Sequence, residues 1–286
     1  MSTPTTRIAF HTMGCKTNFS ETSTISSEMQ RYGYEKVSYK DEADIYVLNT
    51  CSVTENADKE ARKLIRKARR INPFAKIAVI GCYAQLQPEQ ISKIPGVDLV
   101  LGASEKFNLL SHLNSLNSTN ESKIITSTIK NISSFQPSFT NGERTRSYLK
   151  IQDGCNYNCS FCTIPLARGR SRSDTIENTV KIAQNIADSG AKEIVLTGIN
   201  IGDFGSEKDE SFLQLIMTLD NLKGIERFRI SSIEPNLLSD EIISFCADSN
   251  KFVPHFHIPL QSGSDSILKS MKRRYNTDLY KSRVEY

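Results

Sequence analysis

Short apolar runs alternate with longer amphipathic stretches along most of the chain. Ile8–Thr12 reads as a strand, Asn18–Tyr32 as a helix, Asp44–Asn49 as a strand and Glu55–Ile71 as a basic helix; Lys76–Gly81 and Asp98–Gly102 read as two further strands. Strand–helix alternation with short apolar strands predicts a parallel sheet flanked by helices. From about Ser111 to Arg146 the pattern gives way to Ser, Asn, Thr and Lys, with Pro137 and Gly142, which reads as a linker holding one short strand at Lys123–Thr126. A second alternating series follows. Tyr148–Gln152, Glu193–Thr197, Arg227–Ser231 and His255–Leu260 read as strands; Thr175–Ser189, Ser211–Leu222, Ser239–Ala247 and Asp265–Met271 read as helices. Asp174 and Ser239 are the expected N-caps, and Gly190 sits where a helix-ending glycine belongs. Four βα units do not close an eight-stranded barrel. The expected fold is therefore α/β: a parallel-sheet domain over residues 1–110, a linker over 111–145, and an incomplete partial barrel over 146–286. No internal repeat is visible.

Composition narrows the class. Hydrophobic residues make up 38% and charged residues 24%, the balance of a folded globular protein rather than a disordered one. Every Val/Ile/Leu run breaks long before the length of a membrane span. The segment from Met1 to Arg7 is polar and lacks the apolar core of a signal peptide, so a cytoplasmic location is expected. A net charge of +4 permits nucleic-acid binding without demanding it. The 7 cysteines are an odd number without an export signal, which points to metal binding or catalysis rather than a disulfide framework.

Three of them, Cys155, Cys159 and Cys162, have the spacing C-x3-C-x2-C directly after a predicted strand. Three thiolates on one loop can hold three irons of a cubane cluster and leave the fourth iron without a protein ligand. Zinc sites favour paired cysteines and a fourth ligand, and none stands nearby in the sequence. With Phe161 inside it, the loop resembles that of the radical S-adenosylmethionine superfamily. That resemblance implies an open iron that chelates the amino and carboxylate groups of the cofactor, with Phe161 packed near its adenine.

Cys15, Cys51 and Cys82 follow the first, second and third predicted strands. Parallel strands carry their carboxyl ends to one edge, where ligands gather, and each cysteine also lies near a helix start. Convergence at that edge and burial as separate core thiols are the two readings. Cys246, between Phe245 and Ala247 in a helix, reads as a core residue.

Three early cysteines followed by such a loop resemble the radical S-adenosylmethionine methylthiotransferase family. The blocks His11–Asn18, Asn49–Thr54, Gly81–Gln85, Ile164–Ser173, Leu196–Asn200 and Leu260–Ser264 carry the likeness along the whole chain. It implies two [4Fe–4S] clusters, the second being an auxiliary cluster on Cys15, Cys51 and Cys82 in the first domain. It also implies an external electron donor, a sulfur donor and no membrane. In such enzymes the reduced cluster on Cys155, Cys159 and Cys162 cleaves S-adenosylmethionine to methionine and a 5′-deoxyadenosyl radical. That radical takes hydrogen from carbon 2 of an adenine, and a methylthio group follows, its methyl coming from a second S-adenosylmethionine. Within the family, Gly14-Cys15-Lys16-Thr17-Asn18 and Arg168–Ser173 resemble the branch acting on N6-threonylcarbamoyladenosine at position 37 of tRNA. The sister branches act on isopentenyladenosine in tRNA or on a ribosomal-protein aspartate. A non-catalytic iron–sulfur RNA-binding protein is the remaining alternative. Family members continue through further βα units and usually a small β-barrel that grips tRNA, whereas this sequence stops at Tyr286.

Strand ends of the second domain should face the cofactor. The resemblance favours Gly198, Asn200, Glu234 and Gln261 for contacts to it; turn and capping roles are the alternative. Arg168, Arg170 and Arg172 are candidates for RNA phosphate or a carboxylate on the base. In the basic helix Arg62, Arg66 and Arg69 lie among Lys59, Lys63, Lys67 and Arg70, against Asp58 and Glu60. That pattern fits a solvated face or a phosphate-binding one. His255 and His257 are expected to share a strand face as packing or cofactor-lining residues.

Overall fold

The computed structural model describes residues 5–51, 55–116, 121–129, 132–140 and 146–286. Ser52–Thr54 of the second block, the side chain of Asp58 and parts of the expected linker, Gly142 among them, lie outside the described residues. Contacts divide the chain into two units: Met1–Ile132 with Leu166–Arg168, and Ser133–Pro165 with Gly169–Tyr286.

The first unit runs β1 (Arg7–Thr12), α1 (Lys16–Arg31), β2 (Glu35–Val37), β3 (Ile45–Thr50), α2 (Glu55–Ile71), β4 (Lys76–Gly81), α3 (Cys82–Leu86), α4 (Pro88–Ser92), β5 (Leu99–Leu101), α5 (Leu109–Asn114) and β6 (Lys123–Ile125). Its six strands are all parallel, in the order β2-β1-β3-β4-β5-β6. The stretch read as a linker thus supplies an edge strand. Side chains alternate across a strand, so each central strand feeds two cores. Tyr46, Leu48, Ile77 and Val79 pack with Ala61, Ile65 and Ala68 of α2. Ile45, Val47, Ala78 and Ile80 pack on the other face with Ile25 and Met29 of α1 and Leu109 of α5. Every residue of β3 is buried, which is why Ile45–Leu48 read as an unbroken apolar run.

The second unit contains β7 (Ser138–Phe139), β8 (Ser147–Lys150), β9 (Gln152–Asp153), α6 (Ile164–Arg168), β10 (Arg172–Ser173), α7 (Ile176–Asp188), β11 (Glu193–Thr197), α8 (Phe212–Asp220), β12 (Arg227–Ile230), α9 (Asp240–Asp248), α10 (Asp265–Ser270) and α11 (Thr277–Glu285). Leu166–Arg168 of α6 make their contacts in the first unit. The sheet has the order β12-β11-β8-β7; β8, β11 and β12 are parallel and β7 joins antiparallel. Leu149, Ile194, Leu196, Phe228 and Ile230 of the strands pack with Leu215, Ile216 and Leu219 of α8.

Several expectations shift. His255–Leu260 does not form a strand: isolated bridges join Phe228 to Phe252 and Ser232 to His257. Pro254 and Pro259 bring no N–H, so a continuous ladder cannot form there. His255 and His257 are both exposed and do not share a strand face. The N-cap of α7 is Thr175, whose hydroxyl accepts from the Asn178 N–H at 3.1 Å, not Asp174. The Asp174 carboxylate instead accepts from the Thr175 N–H at 2.9 Å. α8 starts with a full capping box between Ser211 and Gln214. No helix among the described residues is long and apolar enough to cross a membrane.

Candidate metal centres

In the first unit the sheet register aligns the strand ends. Thr50 of β3 pairs with Gly81 of β4, so Cys51 and Cys82 are the residues directly after one matched pair. Thr12 of β1 pairs with Asn49, and Met13 donates its N–H to the Asn49 carbonyl at 2.8 Å. The chain then turns at Gly14 (φ +91°), whose absent Cβ would lie 2.6 Å from the Cys51 Cβ and 2.9 Å from its sulfur. Glycine is required by both its left-handed φ and that approach. Cys15 is exposed and stands at the N-cap of α1; Cys51 is half-buried and Cys82 buried. Asn18 stitches the two ends together: its amide donates at 3.0 Å to both the Met13 and the Thr50 carbonyls.

Beneath them the first half of α1 buries polar residues, Thr17, Asn18, Ser20 and Glu21 among them. Glu21, with 0% exposure, accepts from Lys106 Nζ at 2.6 Å and from Arg168 Nη1 at 3.1 Å. Arg168 Nη2 also donates to Asn18 Oδ1 at 2.5 Å. One buried carboxylate between two buried cations is strongly destabilised if one partner is lost. Arg168 is therefore an internal ion-pair residue, which corrects its expected place among RNA contacts.

In the second unit Cys155 follows β9. Gly154 (φ +70°) has no room for a side chain, because a Cβ would run into the Arg170 carbonyl. The strand end is braced by Gln152, whose amide donates to Asp153 O, Gly154 O and Ser171 Oγ at 2.8–3.0 Å. The loop is closed by the Cys155 N–H, which donates to Gly169 O at 3.0 Å, and by the Cys162 N–H, which donates to Cys159 O at 3.1 Å. Burial pushes the Cys155 thiol up to about 11; the Tyr157 N–H opposes this, and neighbouring Cys162 and Cys159 add to it. Phe161 projects with 53% exposure.

The sequence-derived cofactor residues divide. Asn200 is 2% exposed, and neither its amide nitrogen nor its oxygen has a hydrogen-bond partner among the described residues. Such an orphaned buried amide is costly unless a ligand completes it. Its backbone N–H and that of Ile199 donate to Gln152 Oε1 at 2.8 and 3.0 Å, fixing the turn after β11 at Gly198. A Cβ on Gly198 would strike the Gln152 carbonyl at 2.8 Å. Glu234 is engaged by Arg273. Gln261 is exposed and holds a left-handed backbone, φ +64°.

The basic candidates divide too. Arg172 donates to Ser134 O and Arg170 O and pairs with Asp153 at 3.2 Å; Arg69 donates to Pro73 O, Gly96 O and Asp98. Both are structural, which corrects their expected availability to RNA. Arg170 and Arg66 remain exposed and Arg62 half-exposed. Lys59, Lys63, Arg66, Lys67 and Arg70 line a surface hollow of about 780 Å³ on α2. Cys246 is fully buried, its thiol pushed up to about 12 by burial, as a core residue should be.

Sequence inspection missed Asn18, Glu21, Lys106, Arg273 and Arg274. Asn18 lies inside a quoted block, and adjacent arginines at 273 and 274 between Met271 and Tyr275 are the one visible signal for the pair. Nothing local marks Lys106.

Among the described residues no three His, Cys, Asp or Glu side chains gather around a point that a lone ion would occupy. A cubane asks for something else, thiols that each meet a different corner iron. Three cysteines on one loop, tied through Gln152 to the turn that carries the orphaned buried amide of Asn200, fit such a cluster with a small polar cofactor.

Comparison with known proteins agrees with this arrangement. Residues 7–102 match the uncharacterized protein family UPF0004, and residues 149–286 match the Radical SAM superfamily. The chain is 44% identical to the threonylcarbamoyladenosine tRNA methylthiotransferase MtaB of Bacillus subtilis, over 97% of this chain and 62% of that protein. It is 38% identical to MtaB of Aquifex aeolicus, over 98% and 69%. A tRNA-2-methylthio-N(6)-dimethylallyladenosine synthase of a Hydrogenobaculum species is 32% identical, over 96% and 64%. The chain thus spans 62% of the B. subtilis relative and 69% of the A. aeolicus one. In fold it resembles the radical S-adenosylmethionine methyltransferase TsrM of Kitasatospora setae, with a TM-score of 0.68 at 12% identity, covering 98% of this chain and 65% of TsrM. Superfamily membership implies a [4Fe–4S] cluster and S-adenosylmethionine. A parallel-sheet unit ending in three cysteines, a radical loop in the next unit and relatives of this identity lead to one assignment: the chain belongs to the radical S-adenosylmethionine methylthiotransferase family.

Proposed function

We propose that this chain carries the catalytic machinery for methylthiolation of carbon 2 of N6-threonylcarbamoyladenosine at position 37 of tRNA. The observation that carries it is the loop Cys155–Cys162, which sets three cysteines on one turn just past the carboxyl end of a strand in a parallel sheet. The MtaB relatives support the choice of base. When bound, the cluster and S-adenosylmethionine supply a 5′-deoxyadenosyl radical.

The chain's own residues do the rest. Cys155, Cys159 and Cys162 would hold three irons of the cluster and leave the fourth for the cofactor. Asn200 offers both amide atoms to the cofactor's polar groups, and Gly198 lets the backbone come close. Phe161 gives its adenine an apolar surface. Cys15, Cys51 and Cys82 would hold a second cluster, which would be the source of the transferred sulfur. An external electron donor and a sulfur donor complete the cycle, and exposed Arg170 and Arg66, with half-exposed Arg62, are candidate cations for tRNA phosphate. Mass spectrometry of tRNA nucleosides from a deletion strain tests the reading. Loss of 2-methylthio-N6-threonylcarbamoyladenosine, with the unmethylthiolated base accumulating, is expected; an unchanged nucleoside profile would refute the substrate.

A further inference from the structure

The segment after α10 reaches back onto the cysteine loop. α10 ends in a Schellman arrangement: Lys272 N–H donates to Lys269 O at 3.0 Å and Arg273 N–H to Leu268 O at 2.9 Å. Lys272 takes the left-handed position, φ +57°, that glycine would normally fill. This reversal sends Met271–Arg274 along the loop, where four contacts form. Met271 O accepts from the Ser160 N–H at 3.2 Å. Arg274 stacks on the Tyr157 ring at 4.0 Å and donates to Asn156 O at 3.0 Å. Arg273 Nη1 donates to Cys159 Sγ at 3.1 Å.

Arg273 is the informative member. Its side chain is 4% exposed and its other terminal nitrogen is engaged by the Glu234 carboxylate. Its Nε is buried without a hydrogen-bond partner among the described residues. A guanidinium is always charged, so a full cation is held against one of the three thiol sulfurs, 114 residues away in sequence. Hydrogen bonds and charge at ligating sulfur favour the reduced, more negative cluster and raise its potential. Glu234 orients the cation and offsets part of its charge. Arg172, by contrast, is committed to Asp153 and to the Ser134 and Arg170 carbonyls.

We propose that Met271–Arg274 is a clamp on the cysteine loop, and that Arg273, balanced by Glu234, sets the reduction potential of the cluster bound there. This rests on the proposed function, since it takes the loop to hold a [4Fe–4S] cluster. Arg273 is a positioning residue, acting through Cys159.

Redox titration followed by electron paramagnetic resonance tests it. The parent is the full chain with Cys15, Cys51 and Cys82 replaced by Ala, so that one cluster contributes. In that background Arg273→Gln should lower the midpoint potential and Glu234→Gln should raise it, with Arg273→Lys falling between Arg273→Gln and the parent. Equal potentials in all variants, or a rise in Arg273→Gln, overturns the proposal. Should Arg273→Gln retain no iron, the Arg273→Lys and Glu234→Gln potentials decide, and an unchanged value in both is the overturning result. A parent that takes up iron but shows no [4Fe–4S] signal overturns the cluster assignment itself, and the clamp's electronic role with it.

Discussion

The two cysteine sets are built in opposite ways. Cys155, Cys159 and Cys162 belong to one loop, and their spacing is a property of eight consecutive residues. Cys15, Cys51 and Cys82 come from three separate strand ends and meet only if the parallel sheet pairs Thr50 with Gly81 and Thr12 with Asn49. The support is reversed as well. The compact loop is held by distant residues, Arg273 and Arg274, while the dispersed set is held by Asn18 and Gly14 next to Cys15. A local motif needs long-range contacts to fix its electrostatics, and a scattered one needs local contacts to close the last gap.

If the sets have separate tasks, cysteine substitutions should separate them most sharply. Cys159→Ala should abolish S-adenosylmethionine cleavage, whereas Cys51→Ala should keep reductive cleavage to 5′-deoxyadenosine and lose the methylthiolated tRNA product. Liquid chromatography of both products reads this directly; a Cys51→Ala chain that still modifies tRNA would merge the two sets into one.

Dependence on the sheet comes next. Glu21→Gln leaves the Lys106 and Arg168 cations facing each other without a buried carboxylate, at a cost of about 3–5 kcal/mol. Chemical denaturation should show that loss, with iron on the first unit falling before iron on the second. Gly14→Ala should be milder in stability, about 1–3 kcal/mol for a strained left-handed residue. Its added Cβ nevertheless presses on Cys51 and should reduce iron content by up to half in inductively coupled plasma analysis.

The compact loop should answer to pH. Burial holds the Cys155 thiol at about 11, above its ordinary value, so at neutral pH it carries a proton that iron must displace. A raised thiol pKa penalises the anion: with no metal bound, any effect on stability is a loss that begins as pH climbs past the unfolded thiol's value. Cluster reconstitution should accordingly speed up from pH 7 to pH 9, and a flat rate would argue against a protonated loop. The smallest effect is expected at Lys272→Gly. Relieving the left-handed lysine should stabilise the chain by a few tenths to about 1 kcal/mol in thermal melts, with the cluster signal intact.

Much of the architecture was legible before any coordinates. Each central strand of the first sheet is a short apolar run bounded by polar turns, and Glu55–Ile71 matches its helix to the residue. Legibility failed where proline or partner choice decided. Pro254 and Pro259 left only bridges where alternation suggested a strand. Ser138–Phe139, inside a composition typical of linkers, was recruited to the second sheet as the antiparallel edge partner of β8. α11 has so mixed a face that its pattern does not announce it, and Asn276 caps it through the Leu279 N–H.

By itself, then, the sequence determined the cysteine spacing, the order of strands and helices, and the family blocks, because these depend on residues close along the chain. Which charges are free was decided by tertiary structure alone. Arg168, Arg170 and Arg172 look equivalent as a basic run, yet two are buried against Glu21 and Asp153 while Arg170 faces solvent. A buried cation must find its carboxylate, and that partner can lie 147 residues away. The same physics brought Arg273 to Cys159, a contact no spacing rule contains.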